Sequence, residues 1–430
     1  MPLLSDSSNV TTSGRRLHRT RLSNARYAVT CVLAVCLSAT ATADDWNQWR
    51  GPSRDSSVTT ENWPSSLSGT LKLGWEQALD ASYSGPVVQG GVVYTTETVD
   101  DEYERVTAFN LEDGEKIWST RWEGAINVPF FAASNGSWIR STPAVTPDAL
   151  VVFGIRDVLV CLDPETGDEK WRVDFAKVLG SNRPAFGAVC SPIIDGDAVY
   201  VQTGGPTVKL SLADGSVTWK TLESGPNMMS GGAFSSPIIA TINGQRQLVV
   251  QTRMELAGVN LETGGVLWKE PIEAFRGMNI LTPTVIGNRV YTAAHSGRSQ
   301  LFEVDKSDTS GWGIREAWNQ KIQGYMSSPV VIEDTIYIHA KNQRLSALDL
   351  TDGEVLWTSR PMGKYQSMIR RDKQILVLDQ NGELLLLNHN REKLDIADRM
   401  KVADDSWAHL AIAGRSLIVR DLKALKVYDF

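Results

Sequence analysis

One spacing, kept five times, constrains this chain more than any other feature. A residue is followed two places on by Asn, Asp or Ser, four further by Gly, and four further by Trp. Ala108-Asn110-Gly114-Trp118, Cys161-Asp163-Gly167-Trp171, Gly258-Asn260-Gly264-Trp268 and Ala347-Asp349-Gly353-Trp357 keep it, and Lys209-Ser211-Gly215-Trp219 keeps it with Ser. The Asn, Asp or Ser side chain suits the amides of a turn, and Gly supplies the positive φ such a turn needs. The Trp offers a large apolar face to a neighbouring unit. A second pattern precedes these: a proline, two β-branched residues, a turn, and an aromatic eight positions after the proline. Pro86 with Tyr94, Pro192 with Tyr200, Pro283 with Tyr291 and Pro329 with Tyr337 follow it. Each reads as a short strand, a hairpin and a second strand.

Four short strands per unit, recurring every 45–57 residues between Pro86, Pro143, Pro192, Pro237, Pro283 and Pro329, predict propeller blades. In one unit Asp305 reaches Trp318 only after the longer insert Lys306 to Ala317. Two degenerate units begin without proline, at Ser367-Met368-Ile369 and at Ala408 to Ile412, and the run Leu384 to Asn388 lacks its Trp. Starts near residues 85, 142, 191, 236, 282, 328, 367 and 409 give eight units. The last has room for three strands, whereas Leu71 to Glu76, with Trp75, reads as an orphan fourth strand. The expected fold is therefore all-β, an eight-bladed propeller of four-stranded antiparallel blades over residues 71–430, closed by that orphan strand so that no sheet edge is left open. Residues 44–70 are expected to form a leading arm over the surface, and the closed ring to be monomeric on its own.

The Ala-x-Asp-x-x-x-Gly-x-x-x-Trp spacing at Ala347 to Trp357 resembles the repeat of the pyrroloquinoline-quinone-like β-propellers, and Trp46-Asn47-Gln48-Trp49-Arg50-Gly51-Pro52 resembles the opening segment of that superfamily. The resemblance covers about residues 46–430. It implies fold rather than activity, because the superfamily holds quinoprotein dehydrogenases, the propeller lipoprotein that helps assemble outer-membrane β-barrels, and other exported proteins. In the dehydrogenases a quinone stacks over a tryptophan, calcium is held by Glu, Asn and Asp, and a disulfide of adjacent cysteines often covers the ring. This chain has no adjacent cysteines, and its blades leave little length for a pocket and lid. The resemblance therefore points to the outer-membrane assembly propeller: a non-enzymatic binding or scaffold protein for an envelope protein or peptide, with no cofactor. A dehydrogenase using pyrroloquinoline quinone and calcium to oxidise an alcohol or sugar is the alternative.

Residues 1–43 read as a secretory signal. Arg15, Arg16, Arg19, Arg21 and Arg26 form a basic start, Ala28 to Leu37 an apolar segment too short to span a bilayer, and Ala41-Thr42-Ala43 a small-residue cleavage site. Arg15-Arg16 leaves twin-arginine export open, and Leu33 to Cys36 leaves lipidation of Cys36 open. Periplasm or cell envelope is the expected location, with no transmembrane span. The whole chain carries a net charge of -7, and losing this arginine-rich stretch makes the remainder more acidic still. Nucleic acid is thus an unsuitable partner. Cys161 and Cys190 sit in apolar runs and read as buried thiols, with pairing left open. No Cys-x-x-Cys occurs and the histidines are scattered, so no metal site is indicated.

No catalytic set stands out. In a propeller the loops leading into the innermost strands converge on the channel, and here loops 124–140, 175–188, 222–234 and 272–281 are the long ones. The expected ligand-binding mouth is lined by Trp138, Arg140, Arg183, Arg276, Tyr325 and Trp407. Trp75, Trp118, Trp171, Trp219, Trp268, Trp318 and Trp357, with Gly114, Gly167, Gly215, Gly264 and Gly353, are the expected structural positions.

Overall fold

In a computed structural model, residues 45–430 are described apart from 60, 226, 228–230 and 310. The leader, its cleavage site and Cys36 lie outside the described residues. Eight four-stranded antiparallel sheets make up the chain, all within the compact unit Thr42–Phe430. Among the described residues helix is confined to Phe175–Leu179 and two short 3-10 turns, and none of these is long and apolar enough to cross a membrane. Blades one to seven are built in chain order, beginning at Val87, Ala144, Ile193, Ile238, Thr284, Val330 and Gln366. Blade eight takes three strands from the C-terminal end, Ala411–Ala413, Ser416–Asp421 and Ala424–Asp429, and its fourth from Lys72–Ala78. That strand pairs with the last one from Lys72 opposite Asp429 to Ala78 opposite Ala424, so the ring is closed by the two ends of the chain.

The core lies in the seams between blades. Val106 and Ala108 of blade one pack with Val152 and Val160 of blade two, and Val201 and Leu210 of blade three with Val151 and Cys161 of blade two. Inner strands are therefore apolar on both faces, as in the fully buried run Ala149–Gly154, whereas outer strands such as Lys116–Glu123 have only scattered buried positions. Cys161 and Cys190 are buried free thiols in one of these seams. Burial pushes them up to about 11 and about 12.

The repeat residues build an interlock between successive blades. The glycines 114, 167, 215, 264 and 353 all have φ near +70 to +77°. Four of the turns are capped as expected: Asn110, Asp163, Asn260 and Asp349 accept backbone amides two residues on at 2.6–2.9 Å. Onto each glycine the preceding blade lays its Trp, so that a Cβ on Gly114 would meet Trp75 at 2.6 Å and one on Gly264 would meet Trp219 at 2.8 Å. The indole also donates to a carbonyl of that next blade: Trp75 to Leu111 (2.8 Å), Trp118 to Pro164 (2.9 Å), Trp171 to Leu212 (2.8 Å), Trp219 to Leu261 (3.0 Å), Trp318 to Leu350 (3.0 Å) and Trp357 to Asn390 (2.9 Å). In the four blades that carry the aromatic of the first pattern, it packs on the Trp of the second: Tyr94 on Trp118, Tyr200 on Trp219, Tyr291 on Trp318 and Tyr337 on Trp357, with centroids 5.9–6.0 Å apart.

Trp268 breaks the series for a reason visible in the sequence. Blade five offers it no glycine turn, because the insert after Asp305 lengthens both outer strands into a hairpin paired from Ser299–Gln320 to Ser307–Gly311. The indole instead donates to Gln247 of its own blade at 2.6 Å. It fits because residue 258 is Gly: a Cβ there would collide with the ring and with Gln247.

The expected surface arm is corrected. Residues 46–58 run through the ring and close one end of its channel. Trp46 exchanges backbone hydrogen bonds with Val88, Asn47 accepts from Val145, and Ser56 and Val58 pair with Arg370. Arg54 donates to the Ser191 and Pro192 carbonyls at 3.0 and 2.9 Å, Arg50 to Pro329 and to Ser56, and Trp49 to Thr282 at 3.0 Å. His409 receives the Ser56 hydroxyl at 3.2 Å between the rings of Trp46 and Trp49. Seven of the eight blades thus hold this segment. Only the following stretch lies outside, across blade seven, where Trp63 donates to Gln374 and Asp398 accepts from Leu67.

Candidate functional site

Loops that leave one end of the sheets, both those leading into the inner strands and those joining the second and third strands, surround the open end of the channel. A cavity of about 470 Å³ opens there, with Trp49 of the plug among its lining residues. Two stacked pairs share Trp407: Tyr365 lies nearly parallel to it (3°, centroids 6.1 Å) and Tyr83 at 25° and 5.4 Å. Across the mouth His295 bridges Phe275 and Tyr325, with centroids 5.6 and 5.3 Å away.

Four of the six expected mouth residues, Arg140, Arg276, Tyr325 and Trp407, line this cavity. Trp138 stands behind the wall, edge-on to Tyr83 at 5.2 Å, and covers Gly136, where it leaves no room for a Cβ. Arg183 is elsewhere. Its loop begins with the helix Phe175–Leu179, which Asp174 caps and left-handed Gly180 ends. Arg183 then lies 4.0 Å from Asp174, in an outer groove shared with Glu123, Arg156, Arg172 and Lys177.

The residue overlooked in the sequence is Arg253, on a loop between second and third strands. Its guanidinium donates to Gly231 (3.0 Å), Gly277 (3.2 Å) and Arg276 (2.7 Å), tying together two of the loops that form the mouth, and lies 4.6 Å from the Phe234 ring. Burial lowers it to about 10. Arg140 donates to Gly136 at 2.6 Å, and burial lowers its pKa too. Tyr83 is pushed up to about 12 by burial and then by the charge of Asp405, against the pull of Arg140. Among the described residues no Asp or Glu lines the cavity. The mouth is thus an aromatic pocket with a positive rim in an acidic protein.

These residues do not fit the calcium and quinone pair. Calcium takes hard oxygen ligands, chiefly carboxylates, and none lines the mouth. Among the described residues no group of three or more His, Cys, Asp or Glu is placed to hold a metal ion.

The sequence profile of the family described as outer membrane protein assembly factor BamB matches residues 60–120 and 102–359, well over half of the chain. The chain belongs to the BamB family. Two proteins of that description, from Moranella endobia (strain PCIT) and Yersinia pestis, are 26% and 24% identical over 298 and 294 residues. The aligned parts cover 64% and 63% of this chain and 69% and 67% of those BamB proteins. The crystal structure of BamB from Moraxella catarrhalis covers 84% of this chain and 98% of its own, with a TM-score of 0.60 at 17% identity. A quinohemoprotein alcohol dehydrogenase from Pseudomonas putida HK5 gives a TM-score of 0.50 at 13% identity, covering 90% of this chain and 80% of its own. At those identities both structural likenesses speak to the fold alone.

Proposed function

We propose that this chain is an exported, non-enzymatic propeller that binds an envelope protein or peptide during outer membrane protein assembly, after loss of its leader near Ala43. Membership of the BamB family, carried by the match over residues 60–359, is the observation on which this rests. The open mouth supports it: aromatic side chains and arginine are the residue types that carry binding energy at interfaces, and here they meet at one end of a rigid ring. The dehydrogenase reading draws on fold likeness only, and the mouth lacks the carboxylates it needs.

Cross-linked capture from an outer membrane fraction tests the proposal. Recovery of components of the outer membrane protein assembly machinery at physiological salt is the expected result. Recovery of no protein, together with tight stoichiometric uptake of pyrroloquinoline quinone in the presence of calcium, would replace it with the enzyme reading.

A further inference from the structure

We infer that the mouth cavity is a binding site for a carboxylate carried on a planar apolar body. The inference rests on the mouth being a binding face and adds the chemistry of what enters it. A volume of about 470 Å³ lies within the range of small-molecule sites. Its wall is flat and apolar where Tyr365, Trp407 and Tyr83 stack, which suits a planar body. Among the described residues, the charged side chains that line it are arginines.

The three arginines are not equivalent. Arg253 spends its donors on three loop carbonyls and is a positioning residue. Arg140 gives its Nη2 to Gly136, while its Nε is buried with no hydrogen-bond partner. Arg276, exposed at the rim, is held in a left-handed conformation (φ 53°) with its guanidinium 5.0 Å from the Phe275 ring. Arg50, Arg54 and Arg420 also keep an unpaired buried donor, so what singles out Arg140 and Arg276 is their place on the cavity wall, where a carboxylate is the group whose paired oxygens match a guanidinium. The outer groove around Arg183 makes the contrast, because its cations already face Glu123 and Asp174.

Such a carboxylate can be a free aromatic acid or the chain end of a peptide whose last residue is aromatic. Titration calorimetry on the mature protein separates them, using 2-naphthoate against 2-naphthamide, and a hexapeptide ending in Phe as free acid against the same peptide amidated. Naphthoate is expected to bind about tenfold or more tightly than the amide. Arg140→Gln and Arg276→Gln should each remove about tenfold of that preference, and Arg183→Gln none. Arg276 is exposed, so its variant keeps the test valid if Arg140→Gln fails to fold. A peptide acid that competes with naphthoate supports the site and names a chain end as the source; one that does not compete supports it and names a free acid. Equal binding of acid and amide, no binding of either, or equal sensitivity to Arg183→Gln would overturn the inference. Envelope capture that survives such a failure leaves the assembly proposal standing; loss of capture with naphthoate binding intact removes that proposal alone.

Discussion

Both ends of the channel carry arginines, and their surroundings separate them. At the closed end Arg50 and Arg54 are almost fully buried, and burial lowers them to about 10 and about 9. Arg54 spends both Nη atoms on carbonyls at the start of blade three, and Arg50 reaches across to Pro329 in blade six. At the open end Arg140 and Arg276 face a cavity, and their contacts are local, with Gly136 and the Phe275 ring. An arginine that reaches carbonyls of distant blades is a cross-tie of the fold. One that lines a cavity beside aromatic rings and makes only local contacts is available to a ligand.

The largest expected effect comes from removing the closed end altogether. Deleting residues 44–79 takes away the plug, the closing strand and Trp75, and leaves the last strand unpaired on one side. The loss should exceed about 5 kcal/mol, more than a typical single core truncation, and show as a non-cooperative or strongly lowered melt. A truncated chain that melts like the mature protein would dissolve the distinction between plug and arm.

Falling and rising pH should pull on opposite ends. His409, buried against the plug, is lowered to about 3 by burial and by Arg50. Its unfolded form takes a proton near pH 6.5 while the folded form does not, so stability falls as pH drops from 6.5 toward 3, by about 1.4 kcal/mol per unit. Glu104, on the mouth side, accepts from Ile155 and Trp122 yet is raised to about 7, because burial outweighs those bonds. Here the folded form keeps its proton longer, so stability is lost as pH rises from about 4.5 to 7, by about 3 kcal/mol in all. The two slopes oppose each other between pH 4.5 and 6.5. Denaturant midpoints across pH should therefore show His409→Gln losing the fall in stability below pH 6.5 and Glu104→Gln losing its own contribution to the fall between pH 4.5 and 7. Variants with slopes identical to the parent would show that neither group is held as described.

The ring was legible because its determinants are local and repeated: the Asn110 and Asp349 caps, the glycine turns and the Trp after each recur at one spacing. Even the exception at Trp268 had a signal, Gly258 standing where Ala108 and Ala347 stand in other units. The plug was not legible. Arg50, Arg54 and Ser56 take left-handed backbone that no local propensity favours in these residue types, and contacts with distant blades hold it. Arg253 was missed because it sits on a loop between second and third strands, and Arg183 was misplaced because a one-turn helix redirects its loop. The mouth is assembled by tertiary contacts between loops, which repeat spacing does not encode.

A crossed measurement on Arg54→Ala and Arg276→Gln tests the division of labour most directly, reading the denaturation midpoint and 2-naphthoate affinity of both. Arg54→Ala strips two buried carbonyls of their donors and opens a cavity, and should cost about 3 kcal/mol of stability while leaving the affinity of the folded protein unchanged. Arg276→Gln should leave the midpoint within about 0.5 kcal/mol and lower affinity about tenfold. The reverse pattern, or both variants moving both quantities equally, would contradict the separation of a structural closed end from a binding mouth.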